Sequence, residues 1–463
     1  MKVFSIVFSF LLLVTGCSLP SEKVHDLVIT NASVLNTITG ETELHKTIVI
    51  DTGYIAAVLE SNREVAAISV IDAHERLVTP GFIDAVGHLD DVFGDRPDTL
   101  NMKMGSVPAT VKIFAANYLP YGVTTVRNSG DGSGYYTLAD YLTQTHDPAV
   151  PDFYYSGGSI AGWYDGSPYI NHLLVQDSSE AEFWVNSLHS LGSIQSVKIY
   201  CNGAMNYPIF SAALRKAQSL DMIVTSQVQG EITIDSALSL GLVNFEHAST
   251  LCYQRNLFNF NDDPAFNDTI QKYWDYQDEG IRIYRFLEAA NFCGKNNPQI
   301  NATIMRMKSH NATMTTSLHF FAQWLDKTWF CSEPKGIRFE TDNFTALHNE
   351  RCLHGYSILT SYVKKMYDAG IPLVMGTDHK DGGKAVLSEL MLLHEIGIPM
   401  SHAFQIATIN TARATGLADK YGSIESGKRA NLVIFEKNPL DDAKNVLGKK
   451  TIIKDGVVYA AKK

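Results

Sequence analysis

The stretch "PGFIDAVGHLDD", residues 80–91, decides how the chain folds. A Pro-Gly turn opens an apolar run, and the run ends at His88, followed by Asp90 and Asp91. Four to eight apolar residues bounded by turn residues describe a buried strand. A histidine at its end is either a polar residue where the strand meets solvent or a ligand aimed into a site. The segment alone permits both.

Working outward, seven similar runs follow: "GVTTVRNSG", "DFYYSGGSI", "SVKIYCNG", "DMIVTSQVQG", "LVNFEHAS", "ATMTTSLHF" and "IPLVMGTDH". Amphipathic stretches separate most of them, such as "SAALRKAQSL" and "SHAFQIATINTARATG". Buried strands alternating with helices predict an α/β fold, a (β/α)8 TIM-like barrel, over residues 80–424. A doubly wound sheet competes, but it would carry a Gly-rich phosphate loop after its first strand, and none is present. The chain ends read differently. "DLVITNASVLN", "KTIVIDTGYIAAVLE" and "SVIDAHERLVTP" near the start, with "ANLVIFEKNPLD" and "KTIIKDGVVYAAKK" at the end, are short β-branched runs. They predict a small β-sandwich built from residues 26–79 plus 425–463.

Barrel chemistry sits at the C-terminal ends of the strands. Those ends carry His88, Arg127 with Asn128, Lys198, Gln227, Glu246-His247, His319 and Asp378-His379. Several histidines, a strand-embedded lysine and an aspartate are costly to bury together unless they are paired or bind metal. Histidine and aspartate are also zinc ligands. Arg127 and Gln227 are expected to touch substrate. His319 and His379 are expected to line the pocket, whereas His354 and His394 read as ordinary polar positions on helices.

Composition narrows the partners. The 463 residues carry a net charge of -11 and no basic block, which gives no support for a nucleic-acid partner; the expected partner is a small-molecule substrate. The opening "MKVFSIVFSFLLLVTGC" has a Lys, an apolar core too short to span a bilayer, and small residues before Cys17. It predicts a signal peptide over 1–17 and a tether over 18–25. Cys17 resembles the lipid-bearing residue of a bacterial lipobox, with an ordinary secretory signal as the alternative. The expectation is an exported, lipid-anchored envelope protein that touches membrane only through its anchor; homo-oligomerisation is left open. Export permits disulfides, and Cys293, Cys331 and Cys352 lie in one region where one bridge is expected.

Taken in order, "IDAHERLVTPGFIDAVGHL", "GVTTVRNSG", "VKIYCNG", "NFEHAS", "GTDH" and "IATINTARATGLADKYGSIESGKRANLVIFEKNPL" resemble successive landmarks of the amidohydrolase superfamily. The similarity is nearest to its imidazolonepropionase-like and prolidase-like branch. It implies a metal-bearing barrel that hydrolyses a C–N bond, an amide or cyclic amide, with metal-activated water. Carried over residue by residue, His88, Lys198, His247 and Asp378 match metal-ligand positions, and Asp378 matches the catalytic proton carrier. The resemblance implies one or two divalent ions, zinc or another, with a carboxylated Lys198 as the bridge.

Two positions depart from the pattern. Val86 stands where the first strand's other histidine belongs, and Gln227 where the fifth strand's histidine belongs. The amide oxygen of Gln227 is a poor zinc ligand beside imidazole. The rival reading is a metal-free pseudoenzyme acting as a binding or interaction lipoprotein. A metal-independent hydrolase using Asp378 and a histidine as acid and base is a third. The long passage from His247 to Asp378 holds aromatic segments, "KYWDYQDEGIRIYRF" and "FFAQWLDKTWF", and predicts a cap around 250–355 that contacts an apolar group of the substrate.

Overall fold

The structure is a computed structural model that describes residues 23–60, 63–89, 92, 107–131, 135–163, 172–201, 205–254, 256–257, 279–330 and 342–459. The signal segment with Cys17, the residue Cys331 and parts of the aromatic cap lie outside the described residues.

Five strands come before the stretch that opens the α/β region. They are β1 (His25–Leu35), β2 (Thr42–Asp51), β3 (Tyr54–Glu60), β4 (Ala67–Asp72) and β5 (Leu77–Pro80). The parallel strands follow: β6 (Phe82–Gly87), β7 (Val123–Asn128), β8 (Asp152–Tyr154), β9 (Ser159–Gly162), β10 (His172–Val175), β11 (Ser196–Tyr200), β12 (Ile223–Gln227), β13 (Asn244–Phe245), β14 (Thr313–Thr315) and β15 (Leu373–Val374). The chain closes with β16 (Leu432–Phe435), β17 (Lys450–Lys454) and β18 (Val457–Tyr459).

Strands from both chain ends share one eight-stranded sheet, in the order β18-β17-β16-β5-β1-β2-β3 with β4 also paired to β1. Its joint is β16, which runs antiparallel to both β5 and β17. Ile29, Ile48, Ile50, Leu432 and Ile453 bury the sheet's own apolar cluster. That cluster explains why two β-branched runs some 350 residues apart come together: each buries an apolar face only against the other.

The middle of the chain is mixed α/β, with parallel strands in the orders β6-β7-β8 and β10-β9-β11-β12-β13-β14-β15. The expected third strand is split in two. Residues 152–154 pair with β7 and residues 159–162 with β11. At the other edge Ala85 N donates to Met375 O at 2.9 Å and Asp378 N to Val86 O at 2.8 Å, so the first and last parallel strands lie side by side. Asp84, fully buried, reinforces this junction by accepting from Thr377 N (3.0 Å), Thr377 Oγ1 (2.6 Å) and Val86 N (3.2 Å).

Helices between the strands begin at recognisable caps. Asp177 accepts from Ser179 N and Glu180 N ahead of Ser178–Ser190, and Asn206 from Ile209 N ahead of Tyr207–Ser219. The expected helix over "SHAFQIATINTARATG" contains a π turn at Ile406–Asn410. There Thr411 Oγ1 donates to Ile406 O and accepts from Met375 N, which ties this helix to the end of β15. Phe404 stacks between Phe82 and Phe435, joining the helix to the parallel strands and to the end sheet. Cys201, Cys252, Cys293 and Cys352 are all free and buried, so the expected bridge does not form between Cys293 and Cys352.

Candidate functional site

Three residues predicted from strand ends meet. His88 follows β6, His247 follows β13 and Asp378 follows β15. His88 Nε2 lies 3.3 Å from Asp378 Oδ1, and His247 Nε2 lies 3.7 Å from Asp378 Oδ2. His247 and Asp378 both have left-handed backbone, with φ of 64° and 51°. Ser317, which contacts His247, does too, at φ 47°. Such conformations cost about 1–3 kcal/mol each for non-glycine residues and gather where a structure holds a side chain for function.

Each imidazole is held from behind. His88 Nδ1 is 3.1 Å from Asp131 Oδ1, and Asp131 Oδ2 accepts from Leu89 N at 2.7 Å and from Asn128 Nδ2. A carboxylate only accepts, so the ring proton of His88 sits on Nδ1. His247 Nδ1 is 3.1 Å from Ser317 Oγ, whose own hydrogen is given to Gly376 O at 2.9 Å. Ser317 Oγ can therefore only accept from the ring, which again places the proton on Nδ1. Both Nε2 atoms then turn lone pairs toward the Asp378 carboxylate. This arrangement needs a cation between them, either a second ring proton or a metal ion. Burial would raise Asp378, but His247, His88 and Lys198 outweigh it and hold the carboxyl far below the usual range. Burial lowers His247, partly offset by Asp378.

Lys198, on β11, is buried and pairs with Glu246: Nζ to Oε2 is 3.0 Å. The other oxygen of Glu246 accepts from Ser129 Oγ at 2.6 Å and from Arg127 Nη1 at 3.2 Å. Burial disfavours the ammonium, yet Glu246 and Asp378 hold its pKa above the ordinary lysine value. Arg127 was expected to touch substrate; in the structure its guanidinium turns to protein partners. It is buried, and its guanidinium also donates to Ala85 O (3.1 Å) and Thr225 Oγ1 (2.9 Å). With those donors spent on β6, β12 and the end of β13, it is a crosslink inside the α/β region. Asn128 is likewise committed, donating to Gly87 O and Asp131.

Gln227 ends β12, half-buried, with its carbonyl accepting from Cys201 N at 3.0 Å. Val86 is fully buried against Gly376; a Cβ on Gly376 would come within 2.6 Å of Val86 Cγ2. His319 is buried at 1% exposure beside His379, with ring centroids 4.7 Å apart. His354 and His394 lie on helices, bonded to Asn291 Oδ1 and Ile398 O respectively.

Sequence reading did not single out Asp131, Ser317 or His172. His172, on β10, packs its ring 5.1 Å from that of Tyr200. Burial first, then Lys198 and His88, push its pKa down to about 3. Asp131 was within reach, since it follows "NSG" at the end of β7. Ser317 and His172 carried no local signal.

The amidohydrolase family model matches residues 354–459. The imidazolonepropionase of Geobacillus kaustophilus (strain HTA426) is 35% identical over 111 residues, covering 21% of this chain and 26% of that protein. The N-substituted formamide deformylase of Arthrobacter pascens is 33% identical over 111 residues, covering 21% of this chain and 20% of that protein. The matched part thus spans about a quarter or less of the length of those relatives. Among solved structures, one described as a candidate prolidase from Bifidobacterium longum has a TM-score of 0.66 at 21% identity, covering 95% of each chain, which shows a shared fold. The last quarter of the chain is thus similar in sequence to the amidohydrolase family, and the fold is shared nearly end to end with that solved structure.

Proposed function

We propose that this protein is a metal-dependent hydrolase that cleaves a C–N bond of an amide or cyclic amide, at a single-metal site formed by His88, His247 and Asp378. The observation that carries this reading is the convergence of two imidazole Nε2 lone pairs on one carboxylate, each ring held from behind by a fixed acceptor. Three N/O ligands suit a catalytic zinc, and histidines held by outer partners are the common form of such sites. Val86 and Gln227 add no imidazole, so the site is thinner than the superfamily pattern. Lys198 serves better as an ammonium than as a carboxylated bridge, because a carbamate there would place a second negative charge beside Glu246.

A bound divalent ion supplies Lewis acidity, lowering the pKa of a water and polarising the electrophilic carbon. The chain's own residues do the rest. Asp378, a quarter exposed at its side chain, is placed to take the proton from the attacking water and hand it to the leaving nitrogen. Asp131 and Ser317 hold the two rings in the tautomer that leaves Nε2 facing the carboxylate. Lys198 balances the charge of Glu246 and, through space, that of Asp378. The names of the two relatives, an imidazolonepropionase and a formamide deformylase, support cyclic and N-substituted amides as the first substrates to test. The parallel strands are read as one (β/α)8 barrel, with these groups at the C-terminal strand ends where barrel enzymes work.

We also propose the exported, Cys17-anchored location; among the described residues no helix is long and apolar enough to cross a membrane. The test of function is metal content of the full chain purified in detergent, by inductively coupled plasma mass spectrometry, followed by a screen of amides and cyclic amides. Retained zinc that is reduced in His247→Ala, together with amide hydrolysis, supports the reading. No zinc retained after incubation with the metal overturns it and returns the chain to a metal-free binding role.

A further inference from the structure

Beyond the site just described, sharing no residue with it, we propose a second divalent-cation site formed by His319, His379 and Asp381. It stands whether or not the hydrolase reading does. One ligand-capable atom from each of the three lies within 4.8 Å of the others. His319 carries the strongest sign. It is 1% exposed, and neither ring nitrogen has a hydrogen-bond partner among the described residues. Buried polar atoms left unmet destabilise a fold, and a bound cation would engage one of them.

The neighbouring groups are set for a ligand. His379 Nε2 lies 2.7 Å from Gln323 Oε1, an acceptor only, so the ring proton is on Nε2 and the lone pair on Nδ1. That Nδ1 accepts from Asp381 N at 3.1 Å and lies 3.6 Å from Asp381 Oδ2, so an ion would take over the lone pair that now meets this backbone N–H. A tetrahedral zinc with bonds of about 2.0–2.1 Å holds its ligands roughly 3.3 Å apart, so the pair needs to close by only a few tenths of an ångström. Gln323 then plays the outer role that fixes the tautomer of a metal-bound histidine. His319 is fixed by its backbone, since Glu389 accepts from Leu318 N at 2.9 Å and His319 N at 2.6 Å. The Asp381 side chain is 31% exposed and gives the ion a way in. Two imidazoles and a carboxylate select zinc-like ions over calcium or magnesium, which favour all-oxygen sites. An ion here would bridge the short helix after β14, Leu318–Ala322, to the loop after β15, beside Asp378.

The test counts zinc by equilibrium dialysis and mass spectrometry on the full chain in detergent. Three forms are compared: the natural sequence, His88→Ala with His247→Ala, and that pair with Asp381→Asn added. Circular dichroism confirms that each is folded. The proposal expects the double variant to keep about one zinc and the triple variant to lose it. If the folded double variant binds no zinc, the second site does not exist; if the triple variant keeps it, the residues are wrong. His319→Gln on the double-variant background provides a second route to the same loss should Asp381→Asn misfold. A failure of the hydrolase reading is distinguishable, because it would appear as no difference in zinc between the natural sequence and the double variant.

Discussion

Asp131→Asn is the substitution that most directly probes how the site is built. Asp131 is fully buried, and its two oxygens receive three donors: His88 Nδ1, Leu89 N and Asn128 Nδ2. Asparagine has nearly the same shape but only one accepting oxygen. That oxygen will stay with Leu89 N and Asn128, the two donors that already share Oδ2, and the new NH₂ group will face His88. The ring can meet a donor only by moving its proton from Nδ1 to Nε2. An N–H then points where the lone pair faced Asp378. Fold stability should fall by only about 1–2 kcal/mol, since one hydrogen bond to a charged group is exchanged for a weaker one. Zinc affinity should fall further, by about 10–100-fold as for other outer partners of metal-bound histidines, or about 1.4–2.8 kcal/mol. The assays are chelator competition for zinc and long-range ¹H–¹⁵N spectra of the imidazole, which report the tautomer without reference to activity. Zinc affinity within about twofold of the natural protein, or a His88 proton still on Nδ1, would refute the reasoning.

Other outcomes follow from the same geometry. Glu246→Gln removes the shared counter-charge of the buried Lys198 and Arg127, and should cost about 3–5 kcal/mol in urea unfolding. Arg127→Met should act on stability, with KM for any substrate found left nearly unchanged, because the guanidinium is a strand crosslink. Phe404→Ala removes the ring stacked between Phe82 and Phe435 and should destabilise by about 3–5 kcal/mol, measured in the same way. Glu389 is pushed up to about 7 by burial, partly offset by hydrogen bonds from the backbone of Leu318 and His319. Its carboxyl ionises earlier in the unfolded chain than in the fold. Stability is therefore fully present below the ordinary glutamate range and is lost as pH rises from about 4.5 through about 7, by at most about 3 kcal/mol. Glu389→Gln should flatten that part of the urea-unfolding profile relative to the natural sequence, and an unchanged slope would contradict it.

Much of this molecule is written in local patterns. Short apolar runs closed by turn residues mark the parallel strands, and β-branched runs mark the strands of the end sheet, because burial of a strand's face is visible within a few residues. His88, His247 and Asp378 were legible for the same reason, each being a polar residue directly after such a run. The third strand was read as one segment, yet residues 155–158 separate two short strands with different partners, and nothing in "DFYYSGGSI" announces that break. Its place at a strand end alone read Arg127 as a substrate contact. What the side chain does there depends on Glu246 and Thr225, which lie 119 and 98 residues away.

The sequence by itself determined an α/β chain with β-rich ends and put three candidate residues at strand ends, since those follow from periodicity and from where a run stops. Only the tertiary structure decided the partners: Asp131 behind His88, Ser317 behind His247, Glu246 between two cations, and His319 beside His379. Hydrogen bonds and ion pairs depend on distances of about 3 Å between residues far apart in the chain. Such distances exist only once the strands are packed, so the tautomers, the charge balance and the second cluster of ligands had no local signature to read.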